Sequence, residues 1–170
     1  IADKGNGQYS YIDSLAEARK VLVQEGGSTL VTIAKDVKIQ VEWNKATVAS
    51  YRLLGYENRV LAARDFADDT KDAGEIGAGH TVTALYEIIP PGEPLDGAGV
   101  DPLKYQDGAK PNAAAKSDEL MTVKLRYKQP EGDTSKLISV AVRDRAGELT
   151  PNLGFASAVA EFGMLLRRSE

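Results

Sequence analysis

The chain has 170 residues, of which 42% are hydrophobic, and a formal net charge of −4. This length and composition suit one globular domain, or one domain with a fragment of another, and the negative charge argues against a non-specific binder of nucleic acid or anionic membranes, which would carry basic patches. The absence of cysteine excludes disulfides, thiolate zinc sites and a cysteine nucleophile. No stretch approaches the roughly 18 apolar residues of a membrane helix, and no signal peptide is visible.

The first 26 residues predict a strand followed by a helix. The run QYSYI at residues 8–12 is short and β-like. Ser14 and Glu17 have the spacing of a capping box, in which each side chain binds the other's free backbone N–H. Apolar residues follow at helical spacing, and two glycines at 26–27 end the pattern.

The next part of the chain has the pattern of strands. Residues 37–43 alternate between apolar and polar side chains, which predicts a half-buried strand with one face in water. Residues 28–34 lean towards strand because they are rich in β-branched side chains. Two further strands are predicted at 48–56 and 81–89, and residues 61–66 could form one helical turn.

The second half of the chain contains a long connection and a hairpin. Residues 91–117 are rich in proline and glycine, so we predict a long connection between strands. Residues 121–127 show the clearest alternation in the chain, residues 129–133 turn it, and residues 137–142 return with apolar side chains on one face. This pattern predicts a β-hairpin with a loop of about five residues or slightly more.

Thr150 and Pro151 open the last predicted element, because threonine suits the N-cap and proline the first helical position. An apolar stripe follows at helical spacing, made of Phe155, Val159, Phe162 and Leu166. Three small residues would let this helix lie close to a sheet, namely Ala156, Ala160 and Gly163. Together the elements predict a mainly β fold with flanking helices: an antiparallel β-sandwich of about five to seven strands with a C-terminal helix.

The acidic loop at residues 65–79 is the first candidate for chemistry. Its carboxylates, which are Asp65, Asp68, Asp69, Asp72 and Glu75, could hold a calcium ion, since hard cations bind several carboxylates around a tight turn. The spacing of an EF-hand fails, however. Counted from Asp69, Lys71 and Ala73 fall where carboxylates are needed, and counted from Asp68 the glycine comes one position late. A solvated acidic loop is the simpler interpretation.

Other candidate groups also have simpler interpretations. The glycines at 74–79 lead into a strand, whereas a phosphate cradle leads into a helix. His80 is the only histidine, without a nucleophile motif, and is predicted to lie at a strand edge. Four tyrosines in predicted strands suit a core or a sheet face better than a ligand platform: Tyr51, Tyr56, Tyr86 and Tyr127. Asp118 and Glu119 would point to opposite faces of a strand. We therefore predict no enzyme activity and assign no catalytic, cofactor-binding or metal residue.

Several stretches resemble a known bacterial family. GNGQYSYIDSLAEARKVL resembles the final strand and helix of a von Willebrand factor A domain. YRLLGYENR and DDTKDAGEIGAGHTVTALYEI look like the region that follows this domain in the YfbK-like family, and NLGFASAVAEFGMLLRRSE is similar to the helix after it. The resemblance implies that residues 1–26 are an incomplete A domain and that residues 27–170 form a β-sandwich domain of unknown function with a C-terminal helix. The A-domain metal motif Asp-x-Ser-x-Ser does not occur in this chain.

The resemblance and the lack of a catalytic motif lead to one main expectation about function. We expect a non-enzymatic protein-interaction or scaffolding module that follows an A domain in a bacterial envelope or extracellular protein. Its expected partners are an unidentified protein and the upstream A domain, without nucleic acid, small-molecule substrate or cofactor. Two alternatives remain open: a purely structural support for the A domain, and a calcium-dependent carbohydrate-binding or hydrolytic sandwich. Without the rest of an A domain, the helix carrying Leu15, Ala18 and Leu22 would expose an apolar stripe.

Overall fold

The computed structural model of the chain describes residues 9–26, 31–55, 60–93, 112–145 and 147–168. Helix α1 covers Leu15–Arg19 and continues as a π-helix over Lys20–Gln24, and helix α2 covers Pro151–Arg167. The strands between them are β1 (Thr32–Trp43), β2 (Ser50–Leu54), β3 (Gly74–Gly77), β4 (Leu85–Ile89), β5 (Glu119–Lys128) and β6 (Lys136–Arg143). Short 3-10 turns occur at Ala63–Asp65 and Ala113–Lys116.

The strands form two sheets. One has the order β3-β1-β5-β6, and the other pairs β2 with β4. The β1–β3 and β2–β4 pairs are antiparallel. The short connection between β5 and β6 requires an antiparallel hairpin, because parallel neighbours need a crossover of about a dozen residues or more.

The described residues divide into two compact units. The first takes those within Ile1–Val41, Leu61–Val82 and Val123–Val140. The second takes those within Glu42–Val60, Thr83–Thr122 and Ala141–Glu170.

In the first unit, a bulge interrupts the pairing of β1 with β3. Ala34 pairs with Ile76 and Val37 pairs with Gly74, so β1 has one more residue than β3 in this interval. Asp36 lies in the interval with a φ of 51°, in the left-handed region that aspartate tolerates better than most residues. A bulge re-aims the side chains near it, and here it directs the Asp36 carboxylate towards residues of a neighbouring strand.

In the second unit, the two faces of the β2–β4 sheet have different side chains. Arg52 and Glu87 are cross-strand partners joined by an ion pair of 2.6 Å. Tyr51 and Tyr86 alternate with them and contact the ring of Trp43, with centroid distances of 5.2 and 5.3 Å. Partial burial raises the pKa of Tyr86, and the nearby Tyr51 hydroxyl adds to the effect.

Both helices begin with a side-chain cap. The Ser14 hydroxyl accepts a hydrogen bond from the Glu17 N–H at 3.2 Å, which is one of the two bonds of the predicted capping box. The Thr150 hydroxyl accepts one from the Leu153 N–H at 3.3 Å, and Pro151 occupies the first turn of α2. No described helix is long and apolar enough to cross a membrane.

The predicted fold class is confirmed: the chain is mainly antiparallel β structure with a C-terminal helix and a short N-terminal helix, consistent with a sandwich-like fold. The strands at 37–43, 121–127 and 137–142 are confirmed with longer bounds, and those at 48–56 and 81–89 with shorter ones. Most of the long connection at 91–117 lies outside the described residues, as do residues 27–30 and Tyr56.

Two element predictions are wrong. Residues 9–12 have no regular structure, and Tyr9 and Tyr11 are 76% and 72% exposed. The local pattern of this run suits a strand, but a strand also needs a neighbour to pair with. The acidic loop predicted at 65–79 contains β3, because the backbone N–H and C=O groups of residues 74–77 pair with β1.

Candidate functional site

In the first unit, the acidic loop lies against two lysines from adjacent strands. Lys38 of β1 is 4% exposed and Lys128 of β5 is 9% exposed. The Lys38 ammonium donates to the main-chain oxygen of Asp68 at 2.5 Å and to that of Asp65 at 3.5 Å. Burial of an ammonium group without hydrogen bonds costs free energy. The two carbonyl oxygens offset this cost for Lys38.

Lys128 joins the loop to the bulge in β1. Its ammonium lies 2.6 Å from the Asp36 carboxylate and donates to the main-chain oxygen of Asp69 at 2.8 Å. The Asp36 carboxylate also accepts a hydrogen bond from the Ala73 N–H at 3.2 Å. One short ion pair therefore connects β1, β5 and both ends of the segment 69–73.

The pKa values of this pair favour the charged forms. Partial burial acts to raise the pKa of Asp36, but hydrogen bonds from Lys128 and from the Ala73 N–H outweigh it and hold that pKa below its usual range. The hydrogen bond with Asp36 raises the pKa of Lys128. The pair therefore stays ionised at neutral pH, as a structural contact requires.

Two more loop carboxylates bind groups of the protein itself. Hydrogen bonds from Ser135 lower the pKa of Asp69, whose carboxylate accepts the Ser135 N–H at 3.2 Å. Hydrogen bonds from Thr70 lower the pKa of Asp68, whose carboxylate accepts the Thr70 hydroxyl at 2.6 Å. Phe66, at 8% exposure, anchors the same loop. We call this assembly of residues 65–73 with Asp36, Lys38 and Lys128 the lysine-bound loop.

The second unit carries a different kind of surface, on α2. The small residues of the helix, Ala156, Ala160 and Gly163, line two shallow grooves of about 410 and 290 Å³ together with Leu54 and neighbouring residues of the β2–β4 sheet. Five large side chains are exposed: Phe155 by 74%, Val159 by 53%, Phe162 by 62%, Leu165 by 71% and Leu166 by 70%. Of these, Phe155 and Val159 also line the smaller groove. We call these five residues the apolar face of α2.

Comparison with known proteins identifies the family. Residues 28–170 match the family model described as "Uncharacterized protein YfbK, C-terminal". The chain belongs to this family. It is 44% identical over 170 residues to the protein named "Uncharacterized protein YfbK" of Escherichia coli (strain K12). This match covers 100% of the chain but 29% of that relative's length. No solved structure matches the chain significantly. The predicted resemblance to the C-terminal region of YfbK-like proteins is confirmed.

In this YfbK-family chain, the acidic loop is neither simply solvated nor arranged as a calcium site. Three of its main-chain oxygens, those of Asp65, Asp68 and Asp69, accept hydrogen bonds from lysine ammonium groups. Among the described residues, no group of three or more histidine and acidic side chains is arranged to hold a metal ion.

The other residues that the sequence offered as candidates lie at different places in the structure. His80 is exposed and follows the turn after β3, where its N–H donates to the Gly77 carbonyl at 3.1 Å. Asp118 forms an exposed ion pair of 3.6 Å with Arg143. Tyr51 and Tyr86 lie on a sheet face around Trp43, as predicted. The segment Gly74–Gly77, which begins and ends with a glycine, forms β3.

The sequence interpretation missed the role of the two lysines. Alternation along β1 and β5 assigns Lys38 and Lys128 to faces in water, yet both are buried, while Ile39 beside Lys38 is 49% exposed. No local signal marks these two lysines, because their partners are main-chain oxygens of a distant loop and the Asp36 carboxylate.

Proposed function

We propose that this chain is a non-enzymatic protein-interaction module, and that the apolar face of α2 is its contact surface. The observation that carries the proposal is the exposure of five large apolar side chains on one helix. Contiguous exposed apolar patches on soluble proteins mark interaction sites far more often than single exposed residues do. The only charged residues within α2 are Glu161 and Arg167, so most of the exposed surface of this helix has no charged group that water can solvate.

The shape of the helix surface also supports protein binding over small-molecule chemistry. A ligand pocket encloses most of its ligand, with a few polar groups converging on one point. The grooves beside α2 are shallow, and Arg52, which contributes to the larger one, is engaged by Glu87 at 2.6 Å. A convex helix with large apolar side chains instead suits insertion into a groove, or pairing with another helix.

We further propose that the module acts as a scaffold behind an A domain in a bacterial envelope or extracellular protein. The resemblance of residues 1–26 to the end of an A domain supports this, and so does the greater length of the E. coli relative. Helix α1 exposes Leu15 by 88%, and the π-helix that continues it exposes Leu22 by 69% and Val23 by 71%, so this segment also offers apolar surface to a neighbour. The absence of a catalytic motif from the sequence favours a role without enzyme activity.

Site-specific photo-crosslinking in the bacterial host tests the contact surface. Phe162 is replaced by p-benzoylphenylalanine in the full-length protein, and Ser157 is replaced in a matched control. Ser157 is exposed and lies five residues away, about 140° around the helix. We expect a protein adduct from position 162 and little from position 157. Equal adducts from both positions, or none from position 162, would contradict the proposal.

A further inference from the structure

We propose that the outer edge of β6 is a second interaction site, at which an extended segment of a partner protein adds to the sheet as a further strand. β6 covers Lys136–Arg143 and lies at one end of the strand order β3-β1-β5-β6. We call the side of this strand that faces away from β5 the open edge of β6. It shares no residue with the apolar face of α2, so either surface can fail its test while the other stands.

The main chain along the open edge has no hydrogen-bond partner among the described residues. β6 pairs with β5 on one side, and no described strand lies on the other. None of the main-chain hydrogen bonds in the turns and loops of the described ranges involves a residue of β6. In an antiparallel pair alternate residues turn their N–H and C=O groups towards the neighbouring strand, so about half of the residues of β6 turn these groups outwards. Such a row of donors and acceptors fits an extended chain.

The two edges of this sheet differ in the features that discourage strand addition. β3, at the opposite edge, has four residues, pairs irregularly with β1 and contains Glu75. Short length, irregular pairing and charged side chains all hinder the addition of another strand. β6 has eight residues, and its stretch from Leu137 to Val142 contains no charged residue, proline or glycine. The open edge of β6 therefore lacks the protection that β3 has.

The side chains of β6 indicate the composition of the added strand. Leu137, Ile138 and Val140 are each about half exposed. Successive residues of a strand point to opposite faces, so Leu137 is exposed on one face and Ile138 and Val140 on the other. Side chains directly opposite each other on neighbouring strands stabilise a sheet when both are apolar or β-branched. The segment that fits best has such side chains on both of its faces.

The charges at the ends of β6 favour a different protein over a second copy of this chain. If two copies paired all eight residues of β6 about a two-fold axis, Lys136 of each would lie opposite Arg143 of the other. Like charges directly opposite each other destabilise an antiparallel pair. An acidic side chain of a partner at the same position would instead form a cross-strand ion pair with the exposed Lys136.

Strand addition does not require a large interface. Main-chain hydrogen bonds supply the affinity, and the side chains at alternate positions supply the specificity. The contact along a single strand of eight residues is small, so we expect weak, reversible binding like that of transient complexes.

An NMR titration of the complete chain with a probe peptide tests the open edge. The probe is Glu-Val-Thr-Val-Thr-Val-Thr-Glu with blocked ends, which has β-branched side chains on both faces and an acid at each end. We expect saturable shifts of the β6 amides and slower hydrogen exchange at alternate residues of β6, whose N–H groups turn towards the probe.

N-methylated probes separate main-chain pairing from side-chain contact. A probe methylated on every residue keeps its side chains but has no N–H donor, and it should bind at least about tenfold more weakly. A probe methylated on every second residue keeps its donors along one edge and should still bind.

A matched pair of variants locates the site on the protein. Val140→Glu places a carboxylate beside the added strand and should weaken binding of the probe at least about tenfold. Val82→Glu adds the same charge outside β6, at a valine of similar exposure (49% against 54%), and should leave binding unchanged. Unchanged thermal unfolding of both variants verifies that the fold is intact.

The inference is overturned if the β6 amides do not shift, if the fully methylated probe binds as well as the parent, or if both variants bind equally. Protection of β6 that rises with protein concentration alone would also overturn it, because a second copy would then occupy the edge. Each of these results leaves the proposed function in place, since the crosslinking test at position 162 concerns a different surface.

Discussion

The lysine-bound loop and the apolar face of α2 both depart from the usual distribution of side chains. The loop has buried charged groups, and the helix has exposed apolar ones. In the loop, Lys38 and Lys128 are buried and every ammonium contact goes to an oxygen of the same chain. On α2, Phe155 and Phe162 are 74% and 62% exposed. Buried charges with internal partners hold a segment in place, whereas exposed apolar side chains gain stability only when another surface covers them. The first region therefore stabilises the fold, and the second is the surface that we propose for association.

This difference predicts that replacing Lys38 lowers the free energy of unfolding and that replacing a residue of the apolar face of α2 does not. Lys38→Ala removes an ammonium that is 4% exposed and leaves the main-chain oxygens of Asp65 and Asp68 without their donor. We expect a loss of about 3 kcal/mol in the free energy of unfolding, measured by urea denaturation. Lys45→Ala, at an exposed lysine, is the control and should change stability by less than about 0.5 kcal/mol.

Phe162→Glu should likewise leave the unfolding free energy of the monomer within about 0.5 kcal/mol. A similar loss from Lys38→Ala and Phe162→Glu would mean that both regions serve the fold, and the contrast between them would not hold.

The dependence of stability on pH sharpens the role of the loop. The pKa values of Asp36, Asp68 and Asp69 are lowered in the folded chain, so the unfolded chain takes up protons first as the pH falls. Their contribution is full above about pH 5 and is lost as the pH falls through the lowered folded values. The raised pKa of Lys128 acts in the opposite direction, with a contribution that is full below about pH 10 and lost above its folded value.

We therefore expect the free energy of unfolding to be flat between about pH 5 and pH 9 and to fall on both sides. Asp36→Asn should be less stable at neutral pH and should show a shallower fall in acid, because one of the carboxylates that titrates is gone. Denaturation series at several pH values measure both curves. If the free energy of unfolding falls equally steeply in acid for Asp36→Asn and for the parent chain, Asp36 does not contribute to the acid sensitivity.

The cap of α2 tests how far the helix depends on its own sequence. The Thr150 hydroxyl accepts the Leu153 N–H, and none of the described residues of α2 is buried. With so little packing, the cap should supply a large share of the stability of the helix. Thr150→Ala should cost about 1 kcal/mol, seen as faster hydrogen exchange of α2 amides, and Thr150→Ser should retain the protection. Equal exchange in both variants would show that packing, not the cap, holds α2.

The smallest expected effect concerns calcium. Because lysine ammonium groups already bind the loop oxygens, millimolar calcium should leave the melting temperature unchanged. A bound ion at about 100 times its dissociation constant would add roughly 2.7 kcal/mol, which a thermal scan detects readily. Magnesium at the same concentration is the control for ionic strength. A calcium-specific rise would return the acidic loop to consideration as a metal site.

Features that depend on local sequence were predicted well. The hairpin of β5 and β6 follows from alternation around a turn, and the start of α2 follows from Thr150-Pro151. Lys38 could not be predicted in the same way, because its partners Asp65 and Asp68 are 27 and 30 residues away. The strand predicted at residues 8–12 is absent from residues 9–12 for a related reason, since pairing depends on a neighbour that the local pattern does not reveal. The apolar stripe of α2 was predicted, but its spacing does not tell which surface covers it.

The position of β3 gives the lysine-bound loop a further consequence for solubility. β3 is an edge strand, and it covers the N–H and C=O groups along one side of β1. An uncovered strand edge is a template on which other chains can add by hydrogen bonding, and irregular pairing at the outermost strand discourages such addition. Lys38 and Lys128 hold the segment that leads into β3. Loss of either lysine should therefore increase the rate at which the protein forms aggregates at high concentration.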